Sequence, residues 1–161
     1  MGQNARKYPD LIKTTYTAGN EIGNHTESHP YIFFKSRLAI TRQIEITDQL
    51  IQNAGYSGAI HFRAPYGLKL LALTRVLHRL KRQHVFWTFS LFDWRCPSPE
   101  KMFRRFRRHI KPGAIVLLHD GFTVAPTNRD NTVKLVEMVL EKYSAEGYRF
   151  VTLSELLAIG K

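Results

Sequence analysis

The chain has 161 residues, a formal net charge of +11 and a single cysteine, Cys96. That length is enough for one domain with a real core, and a hydrophobic share of 43% is too high for a disordered chain. No apolar run is long enough to span a bilayer, no charged-then-apolar leader opens the chain, and a lone cysteine excludes an internal disulfide.

The first predicted element is a helix from Pro9 to Ala18, with Pro9 in its first turn and Gly19 as its stop. Leu11, Ile12 and Tyr16 are its expected buried stripe. Glu21–Asn24 reads as a short strand that runs into a loop carrying His25 and His29, four positions apart. A long helix follows from Ser36 to Ala54, with Leu38, Ile40, Ile44, Ile46, Leu50 and Ile51 apolar and Gly55 as its end. Ala59–Phe62 is predicted as a strand delivering Arg63-Ala64-Pro65-Tyr66-Gly67, and Leu68–Lys81 as the next helix. The aromatic run Val85–Ser90 is a strand leading into Phe92-Asp93-Trp94. Pro97 to Pro99 starts a basic helix, and Gly113–Leu118 is an apolar strand of the kind covered on both faces, ending in His119-Asp120-Gly121. A polar loop at 122–131, a helix from Thr132 to Glu146, a strand at Arg149–Leu153 and a helix at Glu155–Ile159 capped by Ser154 complete the order. Val133, Val136, Val139, Leu140 and Tyr143 are the apolar positions expected of the Thr132 helix. Helices alternating with strands imply an α/β domain with a largely parallel sheet, and the polar candidates cluster just after the strands, where such folds assemble sites.

The positive charge favours polyanions: nucleic acid, an anionic cell-wall polymer or an anionic lipid surface. Part of it is concentrated in Lys101–Lys111, where Met102, Phe103, Phe106 and Ile110 share one helical face and the arginines occupy the flanks and back. An amphipathic surface helix with a solvated basic face explains that pattern better than a dedicated nucleic-acid site, because no zinc-finger or RNP signature accompanies it.

Two imidazoles four residues apart can converge on one borderline divalent cation if the loop makes a single turn. Alone, the pair reads better as two polar loop histidines. Arg63 could pair with a surface carboxylate, Pro65-Tyr66-Gly67 could be only a turn, Asp93 a helix cap, Trp94 core and His119 a buried structural histidine. The ordered set changes the balance. EIGNHTESHP at Glu21–Pro30, FRAPYG at Phe62–Gly67, FDW at Phe92–Trp94 followed by PSPE, and LLHDG at Leu117–Gly121 resemble, in order, the second to fifth motifs of the polysaccharide deacetylase family. This is the NodB-homology domain of carbohydrate esterase family four.

The resemblance implies a distorted (β/α) barrel that uses a divalent metal, usually zinc, to remove N-acetyl or O-acetyl groups from a polysaccharide such as chitin-like or peptidoglycan N-acetylglucosamine. Amide hydrolysis of this kind needs an activated water, an oxyanion donor and an acid for the leaving amine. By resemblance His25 and His29 are metal ligands, Tyr66 lends its backbone N–H to the oxyanion, and Arg63 holds the catalytic base. His119 protonates the leaving nitrogen, with Asp93 favouring its charged form by proximity. Trp94 and Leu117 line the groove around sugar and acetyl methyl. Many members of the family are extracytoplasmic or associated with the cell wall.

The family's first motif, T-F-D-D, supplies the base and a third metal ligand, and this sequence has no counterpart. The expected fold is therefore an incomplete barrel in residues 1–161, with the first two strands absent and activity impaired. Such a gap exposes sheet edges and favours oligomers or strand exchange with another copy. Ser90 also stands where the fourth motif usually carries an aspartate. Two other readings compete with an impaired deacetylase: a carbohydrate-binding remnant without turnover, and a basic nucleic-acid-binding protein.

Overall fold

The computed structural model describes residues 1–121 and 128–159, so most of the predicted polar loop at 122–131 lies outside the described residues. The helices are α1 (Gly2–Lys7), α2 (Pro9–Thr17), α3 (Arg37–Asn53), α4 (Leu71–Arg79), α5 (Pro99–His109), α6 (Asp130–Ala145) and α7 (Leu153–Ile159). The strands are β1 (Phe89–Ser90) and β2 (Val116–Leu117). The chain forms two compact units: residues Met1–Phe86 with the stretch from Thr152 onward, and residues Trp87–Val151. Among the described residues no helix is long and apolar enough to cross a membrane.

In the first unit, α3 begins where its sequence says it should. Ser36 is extended, and its hydroxyl accepts from the Ala39 N–H at 3.2 Å, satisfying one of the helix's orphan donors. Ile40, Ile44 and Ile51 are buried, whereas Leu38 and Ile46 face solvent. Ile40 and Ile44 pack with Ile32, Phe62, Ala64 and α4 residues Leu73, Val76 and Leu77 into one apolar cluster. At about 25 cal/mol per Å² of buried apolar surface, such a cluster is the main source of this unit's stability.

The predicted strands Glu21–Asn24, Ala59–Phe62 and the start of Val85–Ser90 are not continuous strands. They lie side by side but pair only at single parallel bridges, Asn24 with Phe62 and Phe62 with His84. The chain turns too soon for a longer ladder: Thr26 has a left-handed backbone (φ 67°), and Pro65 has no N–H to give. α1 was not expected; its Gly2 and Gln3 N–H groups donate to the Thr26 and Glu27 carbonyls at 3.0 Å, so it braces the histidine loop. α2 buries none of its residues, and Leu11 from the expected stripe is exposed.

The C-terminal stretch corrects two expectations. Arg149–Leu153 forms no strand, and α7 starts at Leu153 instead of Glu155. Its cap is Thr152, not Ser154. The Thr152 hydroxyl accepts from the Glu155 N–H (3.3 Å) while Glu155 accepts from the Thr152 N–H (2.7 Å), a reciprocal capping box. Ser154 instead donates to Glu21 through its N–H and hydroxyl.

In the second unit, β1 and β2 pair in parallel, Phe89 with Val116 and Ser90 with Leu117. The apolar run Gly113–Leu118 yields only this short strand; Val116 and Leu117 are half-buried, and among the described residues β2 pairs with β1 alone. The core beneath is Phe89, Leu91, Met102, Phe106, Leu135, Val139 and Tyr143. Met102 and Phe106 confirm the apolar face of α5, and Ser98 caps that helix by accepting from the Lys101 N–H. On α6 the buried face is Thr132, Leu135, Val139 and Tyr143; Val133 and Leu140 are exposed.

Candidate active site

Four of the sequence-selected residues come together in the first unit. The His25 and His29 rings lie 4.9 Å apart, edge to face. His29 meets the Tyr66 ring at 4.7 Å, and Tyr66 meets Tyr31 at 5.2 Å. His25 Nδ1 is 2.7 Å from the Arg63 carbonyl. A carbonyl only accepts, so Nδ1 carries the proton and Nε2 keeps its lone pair. Burial pushes His25 down to about 4, with the neighbouring charges of His29 and Arg63 adding to the effect and the bond to the Arg63 carbonyl opposing it. A neutral imidazole with a fixed tautomer is what a divalent cation requires. Among the described residues, however, no group of three His, Cys, Asp or Glu side chains could hold a metal ion. The donor chemistry therefore fits two ligands of such an ion and no more.

The loop that carries this pair hangs on Asn24, which is fully buried. Its side-chain amide donates to the Ile44 carbonyl (2.8 Å) and to Asp48 Oδ1 (2.7 Å), and its Oδ1 accepts from the Thr26 N–H (2.9 Å). Asp48 is held in turn by Arg82 at 2.8 Å. The Thr26 hydroxyl then accepts from the His29 N–H at 3.1 Å. Thr26 and His29 both take positive φ (67° and 52°), a costly backbone that these bonds over-determine. Asn24, Asp48 and Arg82 were missed in the sequence; the Asn before the first histidine was the only local hint.

Arg63 is partly buried, its guanidinium donating to the Phe86 carbonyl at 3.3 Å, and burial lowers its pKa from the ordinary value. Tyr66 lies in the Pro65–Gly67 turn with φ 58°, and Gly67 follows at φ 68°. The backbone bonds of this turn belong to its neighbours: Gly67 N–H to the Ala64 carbonyl, Leu68 N–H to that of Pro65.

The second unit brings together Asp93, Trp94 and His119. Asp93 is buried, 1% exposed, so its carboxylate must be satisfied internally. Oδ1 accepts from His119 Nδ1 at 2.8 Å and Oδ2 from the His119 N–H at 2.7 Å. Thr132 adds a longer hydroxyl contact at 3.4 Å. Burial pushes the Asp93 carboxyl up, but the two His119 bonds and the charges of His119 and Arg129 outweigh it and hold it below the ordinary value. An ionised Asp93 fixes the proton on His119 Nδ1 and leaves Nε2 with its lone pair. The Trp94 ring stands edge to face against His119 at 5.5 Å. Leu117, half-buried, lies two residues before His119 on β2.

Arg129 was not singled out in the sequence. It is buried, and its guanidinium donates to the carbonyls of Asp93 (3.1 Å) and Gly121 (3.4 Å), tying together two of the motif loops. Ser90 ends β1, and its hydroxyl accepts from the Phe92 N–H at 3.2 Å in the turn that follows.

Residues 1–85 match the family described as "Polysaccharide deacetylase". Among curated proteins, a peptidoglycan-N-acetylglucosamine deacetylase of Bacillus cereus is 31% identical over 98% of this chain and 72% of its own length. A chitooligosaccharide deacetylase of Azorhizobium caulinodans is 30% identical over 75% of this chain, a match spanning 58% of that protein. Among solved structures, a CE4-family pseudoenzyme from Bacillus anthracis superposes with a TM-score of 0.84 at 27% identity, covering 97% of this chain and 53% of that one. The α/β fold is thus of the NodB type, and the chain corresponds to part of the barrel. With motifs, fold and relatives in agreement, the chain belongs to the polysaccharide deacetylase family.

Proposed function

We propose that residues 1–161 are a single, partial NodB-homology domain whose chemistry is metal-dependent removal of N-acetyl or O-acetyl groups from a polysaccharide. N-acetylglucosamine polymers, chitin-like or peptidoglycan, are the proposed substrates. The observation that carries this reading is the convergence of His25, His29, Arg63 and Tyr66 from two separate motifs into one cluster. The names of the relatives support the substrate class.

In this reading His25, through Nε2, and His29 provide two ligands to a divalent ion, most simply Zn²⁺. The ion would polarise the acetyl carbonyl and activate water. The Arg63 carbonyl keeps His25 in the ligating tautomer. The Tyr66 N–H takes the developing oxyanion, and the Arg63 side chain positions the base. His119 Nε2 delivers the proton to the leaving nitrogen, while Asp93 holds Nδ1 and stabilises the protonated ring. Trp94 and Leu117 contact sugar and acetyl methyl. With two ligands in place of three, the chain alone binds metal weakly and turns over slowly.

The test is acetate release from acetylated glucosamine oligomers, with and without added zinc. Slow release that rises with zinc and disappears in His119→Ala supports the proposal. An ordinary enzymatic rate refutes the impairment. No release with zinc, combined with oligosaccharide binding that persists in chelator, replaces the enzyme reading by that of a carbohydrate-binding remnant.

A further inference from the structure

The deacetylase reading leaves the basic helix α5 unused. Its cations are not scattered over solvent. Lys101, Arg104, Arg105 and Arg108 recur at helical spacing on one side of α5, and with Arg95 and Phe92 they line a cleft of about 510 Å³ between the helix and the Leu91–Pro97 turn. Among the described residues none of these five cations forms a salt bridge. The acid on α5, Glu100, sits in its first turn, where its own backbone N–H, Ser98 and the charges of Arg104 and Lys134 hold its carboxyl low.

Five like charges around one concavity repel each other, and the arrangement is stabilised when an anion enters. Four of the five are arginines, whose planar forks match phosphate and carboxylate oxygens two at a time. The walls are built. Arg105 is held by its Nε bond to the Ser90 carbonyl (2.9 Å) and lies over the Phe92 ring at 4.5 Å.

We infer that this cleft binds a slender, flexible polyanion, a non-nucleic polymer with oxyanion groups spaced along its chain, separately from the acetyl-removing chemistry. Two features disfavour nucleic acid. Phe92, the carbocyclic aromatic of the cleft, already carries Arg105 and Arg95 over its ring and meets Trp94 edge to face, which leaves a base less of its surface to stack on. The cations also line a recess, whereas reading a duplex groove requires a projecting helix.

The experiment uses the whole chain and three probes, linear polyphosphate, inorganic phosphate and duplex DNA, across a salt series. Polyphosphate should bind with a slope of log affinity against log salt of about −3.5, as expected for five neutralised charges on a flexible chain. In Arg104→Gln/Arg108→Gln the slope should fall to about −2, with thermal unfolding unchanged. A matched pair outside the cleft, Lys13→Gln/Lys35→Gln, should leave the slope where it was. Equal losses in both double variants would overturn the inference in favour of diffuse net charge. Tighter binding of duplex DNA than of polyphosphate would overturn it in favour of nucleic acid, and polyphosphate binding no tighter than inorganic phosphate would reduce the cleft to a simple ion site.

Discussion

Asn24→Ala tests whether one buried amide holds the histidine loop. The substitution removes a 2.7 Å bond to the Asp48 carboxylate and a 2.8 Å bond to the Ile44 carbonyl, and it strands the N–H of the buried Thr26. A hydrogen bond to a charged group contributes roughly 1.5–3 kcal/mol, and an unsatisfied buried donor costs about 1–3 kcal/mol. The Ile44 carbonyl loses less, because the helix ladder still satisfies it. A total near 3 kcal/mol follows, against a stability of about 5–15 kcal/mol for a domain of this kind. Urea unfolding at neutral pH in chelator should show the midpoint falling at constant slope. Gln49→Ala, on the exposed side of the same helix, is the control and should change stability by less than about 0.5 kcal/mol. An Asn24→Ala/Asp48→Ala cycle should be non-additive by about 1 kcal/mol or more. A loss below about 1 kcal/mol for Asn24→Ala, with additive behaviour in the cycle, would refute the reasoning: the loop would then be held by α1 and the Thr26 hydroxyl instead.

Three more outcomes are expected. Asp93 has a lowered carboxyl pKa in the fold, so its stabilisation is complete above the ordinary value of 3.8 and disappears as pH falls through the lower folded value. The deficit of Asp93→Asn against the native chain, measured by urea unfolding, should therefore be large at pH 7 and shrink in acid. His25 in chelator stays neutral down to about 4, while the unfolded chain takes up a proton near its ordinary 6.5. Stability should thus fall between those two values, by up to roughly 3 kcal/mol, and His25→Gln should flatten that part of the profile. Thr152→Ala removes the hydroxyl half of the α7 capping box and should cost about 1 kcal/mol, whereas Ser154→Ala should lose only the exposed hydroxyl contacts to Glu21 and His61. Hydrogen exchange of the α7 amides separates the two, since only the Thr152 change should release the first turn.

The elements most legible in the sequence are those specified by short-range chemistry. α3 carries its own start in Ser36, and α5 carries Ser98, Pro99 and an apolar face three and four residues apart. The motif residues were also readable, because His25 and His29, Arg63 and Tyr66, Asp93 and Trp94, and His119 each follow an apolar stretch at fixed local spacing. The face of α6 was less so: Val133 and Leu135 are both apolar, and only packing against Met102 and Phe106 selects Leu135. Strand lengths were overestimated for a related reason. An apolar run shows that a stretch can pair, but how far it pairs depends on the partner strands and on where the chain turns, as at Thr26 and Pro65.

Local residue chemistry thus determined α3 and α5 with their serine caps and marked the motif side chains. Tertiary structure alone decided what holds those side chains. Asn24 meets Asp48 across 24 positions, His25 meets the Arg63 carbonyl across 38, and Asp93 meets His119 across 26 and Thr132 across 39. Bonds over such separations leave no periodicity in the chain, because their partners are chosen by the packing of whole elements; a buried amide or carboxylate acquires its role only when the fold removes it from water.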